Sequence, residues 1–356
     1  MLVIHTIELQ LQIGFLIYKQ LSNEIPKMKQ THYGKAVSTC YTNKGIRQIE
    51  LKRVDKGSLR YYIILRLNMN IIMGSNAVFV LDMKYYTEEQ IILTLQQRLH
   101  EIPSFCNAGL DTVDVCKWKV IRADLAKDVC VRNPELYTLL TNLGVPYGNR
   151  RLKRTAINKP PDILFYESCY FESKSKHINI YNKMAAQINK GQVSYKVISD
   201  IKYLFRIEIQ ILKSGIKYNS SKQKDERSIR SYLNDETVTN YLLSELKCLF
   251  GPERYVTYSL AVQLINQSDE TNMEKRKMIH TIELIHQMNG LYNLEKALTD
   301  NNSGLAKELG NLKTFKEKRL AKIRNLGINP VVIPDEYGYE ELPGLCELIM
   351  NRKERI

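Results

Sequence analysis

Three short segments of this 356-residue chain carry side chains that could do phosphoryl-transfer chemistry together. Val120 to Ala126 reads V-I-R-A-D-L-A, His177 to Lys183 reads H-I-N-I-Y-N-K, and Leu204 to Ile211 reads L-F-R-I-E-I-Q-I. Alternate residues of an extended strand share a face. Arg122 and Asp124 would therefore point away from Ile121, Ala123 and Leu125. Asn179, Tyr181 and Lys183 would point away from Ile178 and Ile180, and Arg206 and Glu208 away from Phe205, Ile207 and Ile209. Paired in one sheet, the strands would gather two carboxylates, a tyrosine, a lysine and two arginines on one face and turn the other toward helices. Carboxylates are hard oxygen donors suited to Mg²⁺ or Mn²⁺, and such an ion polarises a phosphoryl oxygen. A tyrosine can attack phosphorus and form a covalent intermediate. Its phenol pKa is about 10, so a neighbouring cation such as Lys183 would favour the phenolate. The arginines could grip flanking phosphates or orient the acids. The competing reading is plainer: half-exposed strands whose charged residues pair with cross-strand neighbours.

Charge points to the partner. Lys and Arg number 52 against 38 acids, a net charge of +14. Residues 1–215 hold 31 of the basic and 18 of the acidic residues, so nearly all the excess lies there. A low-GC genome inflates lysine along a whole chain and does not explain that asymmetry. A basic first part expects a polyanion, and nucleic acid before an anionic membrane, because no basic amphipathic helix stands out. No apolar run is long enough to span a bilayer, and no basic stretch precedes an apolar one as a secretory signal would require. The seven cysteines are odd in number and include no Cys-x-x-Cys pair. That expects neither a disulfide framework nor a zinc site, and a reducing, cytoplasmic setting.

The elements that must position these segments are legible in outline. Val3 to Gln12 suits a strand, and Ile46 to Lys52 and Leu59 to Leu67 suit a hairpin turned by D-K-G-S at 55–58. Thr87 to Leu99 has helical spacing behind a T-E-E start, and Asn133 to Leu143 a second helix stopped at Gly144. Arg150 to Pro161 reads as a basic, proline-ended loop in which Arg150, Arg151, Lys153 and Arg154 could touch phosphates. Asn219 to Arg230 reads as polar linker. The rest reads as helices over Val238 to Phe250, Met273 to Leu298 and Leu305 to Leu326. Lys316, Lys318, Arg319, Lys322 and Arg324 stud the last of these, as a duplex contact or as a solvated face balanced by acids. The expected fold is α+β: an antiparallel-rich central sheet with helices on one face, then a helical C-terminal domain. The expected domains are 1–215, a linker over 216–230, and 231–356.

In order and approximate spacing, these segments resemble the filamentous-phage gene II/X replication initiators, with plasmid rolling-circle initiators as more distant kin. R-A-D at 122–124 matches an Arg-hydrophobic-Asp strand, N-I-Y-N-K at 179–183 a hydrophobic-Tyr-x-Lys strand, and R-I-E at 206–208 an Arg-hydrophobic-Glu strand. I-I-M-G-S-N at 71–76 and the late helical stretch at 315–328 add to the series. The resemblance implies an enzyme that nicks one strand of a duplex origin and keeps the 5′ end on a tyrosine. It leaves a 3′-OH for a host polymerase and later rejoins the strand. It implies Tyr181 as nucleophile, Asp124 and Glu208 as ligands of Mg²⁺ or Mn²⁺, and Lys183 as an activating or phosphate-contacting group. Arg122 and Arg206 join the 150–154 cluster as DNA contacts. The expected partners are double-stranded origin DNA and its melted strand, with host polymerase and helicase, and no membrane. Two departures stand out: His5 occupies the place of an early acid, and no His-hydrophobic-His pair is present. A third metal ligand is therefore unassigned among His177, Glu50, Glu167 and Glu172. A DNA-binding replication or copy-control protein without catalysis is the alternative. A tyrosine recombinase lacks its His-x-x-Arg, and a helicase its phosphate loop.

Overall fold

The segment V-I-H-T-I-E-L-Q-L-Q-I alternates apolar and polar residues and forms β1 (Val3–Ile13) in a computed structural model of the chain. The structure describes residues 3–32, 34–75, 85–146, 153–154, 168–188, 199, 201–223, 227–300 and 303–350. Its further strands are β2 (Lys29–His32), β3 (Lys35–Ser38), β4 (Ile46–Asp55), β5 (Leu59–Asn68), β6 (Lys119–Cys130), β7 (Lys153–Arg154), β8 (Ser168–Glu172), β9 (Lys176–Asn182), β10 (Leu204–Ile211), β11 (Tyr255–Val256) and β12 (Glu341–Leu342). The fold is α+β, an antiparallel sheet with helices and a helical C-terminal region. The chain divides into two compact units, one of residues 1–128, 173–178 and 208–240, the other of 129–172, 179–207 and 241–356.

In the first unit the strand order is β2-β3-β4-β5-β1-β6, continued by the stretches of β10 and β9 that belong to it. Each pair from β2 to β6 is antiparallel. The hairpin read from D-K-G-S is present: Asp55 pairs with Leu59 across a turn in which Gly57 adopts φ +73°. Register then places Leu9 opposite Leu65 and Ile7 opposite both Leu67 and Ala123, all fully buried. Helix Phe15–Glu24 covers this apolar face, packing on β5 with the Phe15 and Tyr18 rings 5.4 and 4.8 Å from that of Tyr61. Helix Glu88–His100 opens with the expected cap. The Thr87 hydroxyl accepts from Gln90 N–H while the Gln90 side chain accepts from Thr87 N–H, and Ile91, Leu95 and Leu99 are buried. The opposite sheet face carries Glu8, Gln10 and Gln12 of β1 beside Arg66, Ile64 and Tyr62 of β5.

The expected linker is corrected. Lys213–Gln223 is a helix, Ile229–Tyr232 a 3₁₀ turn, and both belong to the first unit. A polar composition records that most of a helix's surface is wet; it does not deny the helix.

In the second unit, helix Pro134–Leu143 is capped by the Asn133 side chain, which accepts from Leu136 N–H. Its Tyr137 is the packing pivot. The ring lies 5.6 Å from Phe205 and 6.4 Å, edge-on, from Tyr255, and the hydroxyl donates to the Pro343 carbonyl at 3.2 Å. The helical region has its own core of Val256, Ala261, Ile265, Met278, Ile282, Ile323, Ile328 and Val332. The helix expected over 273–298 is two helices, Asn272–Gln287 and Leu291–Thr299, parted where Asn289 and Gly290 take φ +53° and +110°. The helix expected over 305–326 is likewise broken at Gly310 (φ +80°), and Phe315–Leu320 is wound as a π-helix with Phe315 and Leu320 buried. No described helix is long and apolar enough to cross a membrane.

Gly45, just before β4, has no room for a side chain. It sits at φ +88°, accepts from Asn68 N–H at 2.7 Å, and a Cβ there would lie 2.6 Å from Ile72 Cγ1. Gly45→Ala is expected to destabilise the fold by roughly 2–4 kcal/mol, combining left-handed strain with overpacking. A fall in the urea midpoint without a change in slope checks it.

Candidate functional site

All three chemistry-bearing segments form strands; Arg122, Asp124 and Glu208 belong to the first unit, and Asn179, Tyr181, Lys183 and Arg206 to the second. The alternation read from sequence holds on β9, where Asn179 and Tyr181 are half-buried between the fully buried Ile178 and Ile180 and the buried Asn182.

The carboxylates sit in a network of charges on the polar face of the first unit. Register puts Glu8 of β1 between Arg66 of β5 and Arg122 of β6, and Thr6 between Asn68 and Asp124. Arg66 Nε donates to Glu8 Oε1 at 2.6 Å. Arg122 forks onto Asp124, Nε to Oδ1 at 2.7 Å and Nη2 to Oδ2 at 2.8 Å, with its Nη1 3.9 Å from Glu8 Oε1. Glu208, 5% exposed, accepts from Gln210 Nε2 at 2.8 Å. Asp124 is 2% exposed, and burial pushes its carboxyl up to about 6. The Arg122 hydrogen bonds and charge oppose that rise, and the Glu208 and Glu8 charges add to it. Burial also lowers the pKa of Arg47 on β4, with Asp124 and Glu208 opposing and Arg66 and Arg122 adding to the fall. Glu8, Asp124 and Glu208 with Arg47, Arg66 and Arg122 thus make a network of three acids and three arginines, formally neutral among themselves.

A divalent ion at Asp124 and Glu208 would have to compete with this arrangement. Their oxygens have the right chemistry for Mg²⁺ or Mn²⁺, but both oxygens of Asp124 are already held by Arg122. Among the described residues no three His, Cys, Asp or Glu side chains form a group that could hold a metal.

Other expected site residues separate. Lys183 does not share a strand face with Tyr181. β9 ends at Asn182, whose side chain caps the next helix by accepting from Met184 and Ala185 N–H at 3.0 and 3.3 Å, and Lys183 opens that helix at 3% exposure. Arg206 is fully buried, because both faces of β10 are covered, and so is not a DNA contact from the surface. Arg122 is half-buried and serves Asp124. Arg150 and Arg151 lie outside the described residues, as does Glu167. Lys153 and Arg154 form β7, paired with Glu172 and Phe171, where a loop was expected. Glu50 pairs with Lys35 Nζ at 3.0 Å. The acid that sequence reading passed over is Glu8. Its signal was an acid at an alternate position of β1, in T-I-E-L-Q, facing the same way as Gln10 and Gln12.

Comparison with protein-family models, curated proteins and solved structures gave no match.

The raised pKa of Asp124 sets a pH signature. Its folded value of about 6 lies above the ordinary 3.8, so the native state binds the proton more tightly than the unfolded chain. The contribution is fully present below about pH 4, is lost as pH rises through about 6, and levels off above. Wild type is therefore expected to lose about 3 kcal/mol across that window relative to Asp124→Asn, which cannot titrate there. Urea unfolding of both proteins at several pH values measures the difference.

Proposed function

We propose that the chain is a replication initiator acting on DNA, nicking one strand through Tyr181 and later rejoining it. The observation that supports this reading is that the segments bearing R-A-D, R-I-E and N-I-Y-N each form a strand, with Tyr181 half-buried on β9. The excess of positive charge in the first 215 residues supports a nucleic-acid substrate.

In this reaction the Tyr181 phenolic oxygen forms a bond to phosphorus as the bond from phosphorus to the 3′ oxygen breaks. The phenol gives up a proton and the departing 3′ oxygen takes one up. The 5′ phosphate stays on the tyrosine, the 3′-OH serves a host polymerase, and attack by a 3′-OH on the phosphotyrosine reverses the step. Tyr181 is half-buried on β9, a rigid element that fixes its direction of approach. A non-catalytic DNA binder is the second reading, and the grip of Arg122 on both oxygens of Asp124 favours it, since that carboxylate then serves structure.

A supercoiled plasmid carrying the DNA that flanks the chain's own coding sequence separates the two. Incubated with the protein and Mg²⁺, it should yield nicked product whose 5′ end migrates with protein. Tyr181→Phe should abolish that product and leave gel retardation intact. Nicking that survives the substitution removes Tyr181 from the mechanism, and retardation without nicking by wild type leaves the binder.

A further inference from the structure

Beyond the neutral network, the same polar sheet face of the first unit opens into a cavity of about 460 Å³. It is lined by Gln10 and Gln12 of β1, Arg60 and Tyr62 of β5, Lys119 at the start of β6, and Lys117, Lys213, Lys217 and Arg227. Six of these are cations and none is an acid. Among the described residues none of the six has a carboxylate within ion-pair distance, whereas Arg66 and Arg122 a few residues along the same strands are both paired. Six cations of the first unit thus share one concave place.

The backbone holds it there. Lys213 and Lys217 are one turn apart on helix Lys213–Gln223, and Lys213 Nζ donates to Gln10 Oε1 at 3.3 Å. Leu212 N–H donates to the Ser175 carbonyl and the Ser214 hydroxyl to the Lys174 carbonyl, pinning the start of that helix. Arg227 takes φ +63°, unusual for a non-glycine residue, with its carbonyl accepting from Val120 N–H at 2.9 Å. The concave walls remove part of the hydration of Lys213, and Lys52, Lys217 and Arg227 crowd it, so its pKa is lowered, with Glu50 opposing. Like charges kept together at such a cost are relieved by an anion.

We propose that this cavity seats the phosphodiester backbone of single-stranded nucleic acid, with Arg60, Lys117, Lys119, Lys213, Lys217 and Arg227 on phosphates and Tyr62 as a ring for a base. A cube of this volume is about 8 Å on a side, narrower than a duplex, whose major groove alone is about 12 Å wide. Glutamines and a tyrosine between the cations suit sugar, phosphate and base together. A bilayer surface is flat and meets protruding side chains, which is the opposite shape. The proposal deepens the DNA reading above but does not depend on Tyr181.

The test is the salt dependence of binding to a mixed-sequence single-stranded oligonucleotide, read by fluorescence anisotropy. Lys117, Lys119, Lys213 and Lys217 are exposed, so replacing them leaves the core untouched. Lys119→Gln with Lys213→Gln is expected to weaken binding and flatten the slope of log K on log salt by about 1.4, about 0.7 for each cation removed. Lys313→Gln with Lys318→Gln, exposed lysines of the second unit, should change neither. Unfolding midpoints equal to wild type show that each variant folds. Unchanged affinity and slope in the Lys119/Lys213 pair overturn the proposal. So does capture of phosphatidylserine vesicles through those two lysines with oligonucleotide binding untouched. Loss of nicking in Tyr181→Phe with this slope intact bears on the nuclease reading alone.

Discussion

Charge placed on a sheet face must be matched wherever water is kept out, and the first unit is organised around that constraint. Asp124 is almost wholly buried, so its carboxylate is tolerable only because Arg122 meets both oxygens in a bidentate fork. Glu8 extends the pairing to Arg66 on the far side of β1. β6, which carries the fork, pairs with β1, and β1 pairs in turn with β5 of the hairpin. Removing one partner would leave a buried charge uncompensated, a heavier penalty than the pair itself is worth.

The same strands treat their two ends differently. Toward Glu8 and Asp124 the face is half closed and electrically balanced; toward Gln12, Arg60 and Lys119 it is open, and its cations are unmatched. Exposed lysines cost little in water and retain their field for a ligand, whereas the arginines beside Asp124 spend theirs within the fold. A single antiparallel sheet can therefore be rigid in one half and receptive in the other without any change of architecture.

Much of this was legible in sequence where the signal was local. D-K-G-S between two alternating runs specified the β4–β5 hairpin, T-E-E the capped helix at 88–100, and Asn133 and Gly144 the limits of another helix. Alternation also placed Tyr181 on the opposite face from Ile178 and Ile180. What alternation could not give was exposure. It assigns Arg206 to a face but not the layer that covers that face, and Arg206 is fully buried. Lys183 was misplaced because Asn182 is a helix cap, and an Asn after an apolar run is read as strand or cap only once the following residues are seen to wind. Glu8 went unnoticed because its partners are 58 and 114 residues away in sequence, a pairing that only the register of β5, β1 and β6 creates. The breaks at Gly290 and Gly310 were in view as glycines, but helical spacing on either side outweighed them.

A crystal structure of the chain grown with a short oligothymidylate and Mn²⁺ tests the division of this face most directly. Phosphates seated among Lys117, Lys119, Lys213 and Lys217, with Arg122 still forked on Asp124, are expected. Anomalous density for manganese between Asp124 and Glu208 with Arg122 displaced, or a strand bound elsewhere with that cavity empty, would contradict it.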